Sequence, residues 1–454
     1  MVNSSQSCMR HFFFALALAV CVLTPDVFAQ VTEKPKLKDF GSSLKRLKWD
    51  PVKKEARELY RPARDNASDF DVIEIETTLV ASDLLVTDRQ GQPVRGLTAN
   101  DFLITEDGVP QQVGHFFLGD NFNRPRSVVL IIDYSRSQFP YIKDSVEAAK
   151  VFVDKLSPRD RIAVVTDDVE LLSDFTSDKT AVKKRLDSLI MRNEGSKGFL
   201  GLRDKRPFFG RSAQFSALMA TLKEAFDDED ERPIIVFQTD GDELEYLRNP
   251  IIVPAVPADL PPELRAEIGA EVEQRKKLQA ASITEFGLED VFREVERSRA
   301  TIYAIIPGVR LLGLSREQQL ARLKEKDQKT FATWIDASPP KARAAFQSQQ
   351  ERREKRLTPH ILEATLEEEL KIQSTLFEVA NRSGGWAEFL ETTTQATNIY
   401  ARILADLNER YIVGYYPTNK ERDGKRRKIS IEVKGHPEYV ITGRKSYYAP
   451  QSEP

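Results

Sequence analysis

The chain is poor in the residues that most often carry chemistry. It holds 2 cysteines and 4 histidines among 454 residues, and Cys8 and Cys21 both fall in a leader-like amino terminus. Once that leader is cut, no thiol remains, which excludes a disulfide framework and a cysteine-zinc site and leaves packing to hold the fold. His11, His115, His360 and His436 are scattered and show none of the paired spacings that a zinc site uses. Neither sign of charge dominates: 67 Lys and Arg stand against 70 Asp and Glu, a formal net charge of -3. That balance supplies no field favouring nucleic acid or an anionic membrane. There is no phosphate-cradling glycine loop and no Gly-x-Ser-x-Gly elbow, so the common phosphate-binding and serine-hydrolase frameworks lack their parts.

Long apolar runs are scarce too. The longest spans residues 12–23 before Pro25, short of the roughly 20 residues needed to cross a bilayer. Arg10 precedes it, and Val27-Phe28-Ala29 offers a cut before Gln30. Residues 1–29 therefore read as a secretory signal peptide, which implies a secreted or periplasmic protein. Two alternatives are an uncleaved anchor and a lipoprotein cut before Cys21, the latter disfavoured by Val20 where a small residue is wanted. The rest is ordinary globular material, 41% hydrophobic and 30% charged, enough for two modest cores or one large one.

Residues 30–70 are rich in Lys and Arg and keep no sustained period of two or of 3.6, the pattern of a basic linker. Over residues 71–120 short alternating runs at 72–77, 81–87 and 102–105 read as strands of a β-sandwich. Similar runs recur over 409–450, at 411–416, 428–433 and 439–442. Each set is too small to cover both faces of a sandwich, so the two are expected to meet in one, the alternative being two separate modules.

Residues 121–408 alternate apolar strands with amphipathic helices, which predicts an α/β domain with a doubly wound, mainly parallel sheet. Strands are expected over 128–133, 161–166, 234–239, 301–306 and 386–389. Helices are expected over 141–156, 181–190, 213–226, 288–298, 375–381 and 396–408. Residues 309–371, dense in charge, read as an inserted helical hairpin, and 194–211 as a long loop.

The apolar run Val128-Val129-Leu130-Ile131-Ile132 ends in Asp133-Tyr134-Ser135-Arg136-Ser137. A second run, Ile234-Ile235-Val236-Phe237, ends in Gln238-Thr239-Asp240-Gly241-Asp242. Both loops leave the carboxyl ends of buried strands, where open α/β sheets bind ligands. Two carboxylates and several hydroxyls form a hard-oxygen set suited to Mg²⁺, with Mn²⁺ or Ca²⁺ as alternatives. So few acids leave such an ion electron-poor, able to take a carboxylate from outside.

These residues resemble a known family. Asp133-Tyr134-Ser135-Arg136-Ser137 matches the Asp-x-Ser-x-Ser signature of the metal-ion-dependent adhesion site of von Willebrand factor type A domains, and Thr239-Asp240-Gly241 matches that family's third motif. The resemblance implies metal ligation by Asp133, Ser135, Ser137, Ser212 and Asp240, with no catalytic residues. Ser212, in Gly210-Arg211-Ser212-Ala213, stands where the family has threonine, so it keeps the hydroxyl and loses the methyl that restricts its rotamer. The flanks, with Val86-Thr87-Asp88, Glu106-Asp107-Gly108 and Tyr411-Ile412-Val413-Gly414-Tyr415-Tyr416-Pro417, look like those of bacterial secreted proteins described as VWFA-related. The implied function is divalent-cation-dependent adhesion to a protein partner that supplies an acidic side chain.

Bland readings stand beside each assignment. A strand-ending Asp with nearby serines often only satisfies loop amides, Ser212 could be a helix N-cap, and Asp242 and Glu243 read as solvated loop charges. Two other function classes remain: a metal-dependent hydrolase using Asp133, and an architectural envelope protein whose metal loop is vestigial.

Overall fold

The computed structural model describes residues 47–50, 55–58, 79–118, 125–138, 141–193, 213–226, 232–258, 260–280, 283–337, 343–344, 347–348, 350–351 and 358–451. The leader expected over 1–29, the strand expected over 72–77, the loop expected over 194–211 and Ser212 lie outside these residues. Inside the segment read as a basic linker, β1 (Leu47–Asp50) and β2 (Glu55–Glu58) pair antiparallel.

The amino flank contributes β3 (Val80–Thr87), β4 (Phe102–Glu106), β5 (Val109–Gln111) and β6 (Val113–Leu118). The mixed α/β part begins with β7 (Ser127–Ile132), α1 (Ile142–Lys155), β8 (Arg161–Thr166), β9 (Leu171–Thr176), α2 (Lys179–Asn193) and α3 (Gln214–Glu224). It continues through β10 (Pro233–Gln238), α4 (Pro262–Ala280), α5 (Leu288–Arg297), β11 (Thr301–Pro307), α6 (Arg316–Ala337), α7 (Pro359–Arg382), β12 (Ala387–Leu390) and α8 (Ala396–Glu409). The carboxyl flank supplies β13 (Tyr411–Tyr415), β14 (Arg426–Val433), β15 (Val440–Thr442) and β16 (Ser446–Tyr448).

Six strands form one sheet in the order β12, β11, β10, β7, β8, β9. All are parallel except β9, which pairs antiparallel with β8 at the edge. Every residue of β7, β10 and β11 is buried, as unbroken apolar runs require when helices cover both faces. Alternate side chains feed two cores. Val129, Ile131, Ile235 and Phe237 pack with α3, α5 and α7, while Val128, Leu130, Ile132, Ile234 and Val236 pack with α1, α2 and α8.

The flanking strands pair across the length of the chain. β13 lies between β3 and β6, with β15 outside β3, and β14 lies between β4 and β16, with β5 outside β4. Leu84, Phe102, Ile104, Tyr411, Val413, Tyr415, Ile429 and Tyr447 from both four-stranded sheets share one core. A buried carboxylate ties that core together: Glu106 on β4 accepts from the Tyr415 and Tyr447 hydroxyls, both at 2.8 Å, and from Arg427 Nη1 at 3.3 Å.

This sandwich packs on the amino edge of the parallel sheet. Arg232, just before β10, pairs with Asp83 of β3 at 3.0 Å. Arg410, between α8 and β13, is 0% exposed and donates to Asp406, to the Asp83 carbonyl and to the Gly384 carbonyl. The opposite, carboxyl edge is thereby left to the loops after β7, β8 and β10.

Within the α/β part the structure differs from the sequence expectation in β9 and α4, which were not foreseen, and in the length of α7. The spacing at 375–381 marks only the last turns of α7, because its earlier turns cover a second small core rather than the sheet. There Leu362 and Leu366 meet Leu323 of α6, and Val309 and Leu311 of the chain between β11 and α6. No helix among the described residues is long and apolar enough to cross a membrane.

Candidate functional site

The strand order runs outward from β7 in both directions, to β8 on one side and to β10 on the other. The chain therefore opens a crevice between the carboxyl ends of β7 and β10, the switch point where α/β sheets take ligands. The register puts Ile132 opposite Gln238, so Asp133 and Thr239 leave the sheet at the same level. The Asp133 amide donates to the Gln238 carbonyl at 3.1 Å and continues the ladder for one more residue.

Asp133 is fully buried. Its Oδ1 accepts the Ser135 amide at 3.0 Å, and its Oδ2 accepts Gln214 Nε2 at 2.9 Å and the Thr239 hydroxyl at 3.3 Å. Asp240 accepts the same Gln214 Nε2 at 3.2 Å on Oδ1, and Gln138 Nε2 at 2.7 Å on Oδ2. One amide nitrogen thus reaches both carboxylates. Its orientation follows from the other end of the side chain, because Gln214 Oε1 accepts the Glu243 amide at 3.0 Å and only the nitrogen is left to face the acids. The Ser135 and Ser137 hydroxyls lie 3.0 Å apart on the loop after β7.

Packing two acids against each other in a buried crevice raises their affinity for protons. Burial first, and the charge of Asp240 second, push the Asp133 carboxyl up to about 7, although Ser135 and Gln214 pull it back. Asp242 is also pushed up, by burial first and then by Asp240, Asp133 and Glu369, with Lys326 acting in the opposite sense.

Of the residues expected from sequence, Asp133 and Asp240 come together through Gln214, and Ser135 and Ser137 come together beside Asp133. Ser212 is outside the described residues, one position before Ala213. Among the described residues no three of His, Cys, Asp and Glu gather as a metal-holding group, so the oxygen donors available beside the two acids are hydroxyls and amides. Gln138 Oε1 is buried and has no hydrogen-bond partner, an orphaned oxygen on a side chain that already touches Asp240. Two acids, hydroxyls and a spare amide oxygen are a donor set that fits a hard divalent cation.

Glu243 corrects the solvated-charge reading. It is 4% exposed and caps α3, accepting the Ser216 amide at 2.9 Å and the Ser216 hydroxyl at 2.6 Å. Asp242 is half-buried rather than solvated. Sequence reasoning missed Gln138 and Gln214. The available signal was Gln214 itself, an amide at the first turn of a helix whose residues 214–222 are all buried, where an unpaired polar group would be costly.

Gly241, between Asp240 and Asp242, has φ 81, and a Cβ there would lie 2.9 Å from Ile372 Cγ2 and 3.3 Å from Leu376 Cδ1. Only glycine accommodates both the left-handed backbone and the close approach of α7. α7, whose earlier turns belong to the charged insertion, therefore roofs this loop.

No protein-family profile and no curated protein matches the chain. Among solved structures it is similar to proximal thread matrix protein 1 from the mussel byssus, with 11% identity, 62% of this chain and 48% of that one covered, and a TM-score of 0.28. It is also similar to the vWF domain of the type V pili tip protein Mfa5 from Porphyromonas gingivalis, with 13% identity, 63% and 95% coverage, and a TM-score of 0.29. A third similar structure is the pilus adhesin SpaC from Lactobacillus rhamnosus GG, with 9% identity, 77% and 48% coverage, and a TM-score of 0.31. The chain spans about half the length of the byssus protein and of SpaC.

Proposed function

We propose that this chain is an exported binding protein of the von Willebrand factor A type, which holds a divalent cation at the crevice between β7 and β10 and uses it to bind an acidic side chain of a protein partner. The carrying observation is that Asp133 and Asp240, from loops 107 residues apart (240 − 133), both lie within hydrogen-bond reach of one atom, Gln214 Nε2. A cation between them would offset the burial and, after it, the Asp240 charge that together raise the Asp133 carboxyl to about 7. Mg²⁺ is the cation best suited to so small an oxygen set, with Mn²⁺ and Ca²⁺ as alternatives. Asp133, Ser135, Ser137 and Asp240 would hold it, with Ser212 as the hydroxyl from the loop before α3. The bound ion would supply an electron-poor coordination position for an outside carboxylate. The chain's own residues orient that position: Thr239 fixes the Asp133 carboxylate, and Gln214 and Gln138 fix Asp240.

A second reading rests on the same amide. Gln214 already satisfies both acids without an ion, which favours an architectural protein with a vestigial site. Titration calorimetry with Mg²⁺ and Mn²⁺ on the chain and on Asp133→Ala separates the two. The binding reading expects one cation per chain, lost in the variant. Equal heats from both proteins would reject it and leave the architectural reading. Capture of envelope proteins that is reversed by EDTA would then test the partner.

A further inference from the structure

The charged insertion brings a lysine to the carboxyl end of β11, the strand beside β10. Leu323 of α6 and Leu366 of α7 share a small core. Lys326 and Glu369 each follow those leucines by three residues, about one helical turn on the same face. They meet as an ion pair, Nζ to Oε1 at 2.6 Å. Glu369 in turn lies one turn before Ile372, whose methyl closes over Gly241 between Asp240 and Asp242. On the other side, a Cβ placed on Gly308, just past β11, would lie 4.0 Å from Lys326 Cε. β11 is the strand beside β10, so the lysine stem crosses the carboxyl end of the strand next to the one that delivers Asp240.

The geometry points to Lys326 as a built-in counter-cation of the Asp240–Asp242 loop, carried there by the insertion, with which any divalent ion entering the site must compete. This inference rests on the site proposed above and adds its regulation. A lysine ammonium is a compact point charge on a flexible stem, able to stand beside carboxylates and to withdraw when a stronger cation arrives. Its own electrostatics agree: burial acts to lower the affinity of Lys326 for its proton, yet Glu369, Asp240 and Asp242 more than offset burial and raise it. About a third of the side chain stays exposed, 33%, which leaves it room to swing outward.

Two measurements on the full chain test this. The first is Mn²⁺ affinity, by calorimetry, of the wild type and of Lys326→Met. Removing one unit charge from a partly solvated site should tighten Mn²⁺ by about tenfold. The second needs no metal: the rate of acetylation of Lys326 in EDTA, read by mass spectrometry against exposed Lys324 on the same helix, in the wild type and in Asp242→Asn. Lys326 should react severalfold more slowly than Lys324, and Asp242→Asn should speed it. If neither protein binds Mn²⁺ while Asp242→Asn still speeds acetylation, the divalent site is wrong and Lys326 stands as the permanent counter-cation of the loop. Equal Mn²⁺ affinities overturn the inference and leave the divalent site standing. Acetylation of Lys326 at the rate of Lys324, unchanged by Asp242→Asn, overturns it as well.

Discussion

The acid pair Asp133 and Asp240 at the carboxyl edge of the parallel sheet is closed differently from a set of acids at its amino edge. At the amino edge, where the sandwich docks, four acids meet guanidinia: Asp83 meets Arg232, Asp160 meets Arg126, Asp406 meets Arg410, and Glu296 meets Arg382 and Arg426. Burial works to raise the proton affinity of Glu296, but Arg426 and Arg382 prevail and hold it below the usual carboxylate range. At the carboxyl edge Asp133 meets Asp240 with only an amide between them, and its proton affinity rises. The contrast separates two uses of the same side chain. An acid closed by arginine is a finished joint, whose charge is already balanced and whose removal damages the fold. An acid closed by another acid keeps an unbalanced charge that a cation would relieve.

The contrast breaks most easily at Arg410. Arg410→Met leaves Asp406 buried beside Tyr303 and Trp386 without its cation and should lower the unfolding free energy by about 3–5 kcal/mol. Urea denaturation in EDTA and in Mg²⁺ should give the same loss, because no ion reaches that edge. Recovery in Mg²⁺ would erase the distinction between the edges.

A smaller effect sharpens the other side. In the folded, metal-free chain Asp133 keeps its proton up to about 7, against 3.8 for an ordinary aspartate. Between those values the folded state holds a proton that the unfolded state has lost, so stability falls as pH rises through the window, by at most about 1.4 kcal/mol per pH unit. Above the folded value the loss is complete. Saturating Mg²⁺ should flatten this decline, so the stabilisation it adds grows towards neutral pH in thermal melts. An increment independent of pH would count against a cation at Asp133.

The smallest effect tests a joint with spare bonds. Tyr447→Phe removes one donor from Glu106, while Tyr415 and Arg427 remain. The cost should be about 1 kcal/mol, read as a shift in the urea midpoint. A loss as large as that of Arg410→Met would mean that the sandwich joint depends on every bond in it.

Much of the α/β part was legible because its pattern is local. The five strands expected there appear within about one residue of their predicted ends, since a strand buried on both faces is written as a continuous apolar run. β9 escaped notice because Leu171-Leu172-Ser173-Asp174 has neither that run nor clean alternation, and α4 because its Lys, Arg, Glu and Gln blur the apolar face. At the site, Asp133, Ser135, Ser137 and Asp240 stood out as oxygen-bearing residues just past apolar strands. Gln138, Gln214 and Lys326 did not, because glutamine and lysine are common on surfaces and only their burial or placement sets these apart.

The sequence by itself determined where the buried strands of the α/β part form and which acids end them, because apolar runs act over a few residues. Tertiary structure alone decided which strand of one flank pairs with which strand of the other, that Asp133 and Asp240 face one amide, and that a lysine from the charged insertion crosses the carboxyl end of β11. Those outcomes depend on bringing together residues far apart in the chain, and no local pattern encodes which distant partner a strand edge or a charge will meet.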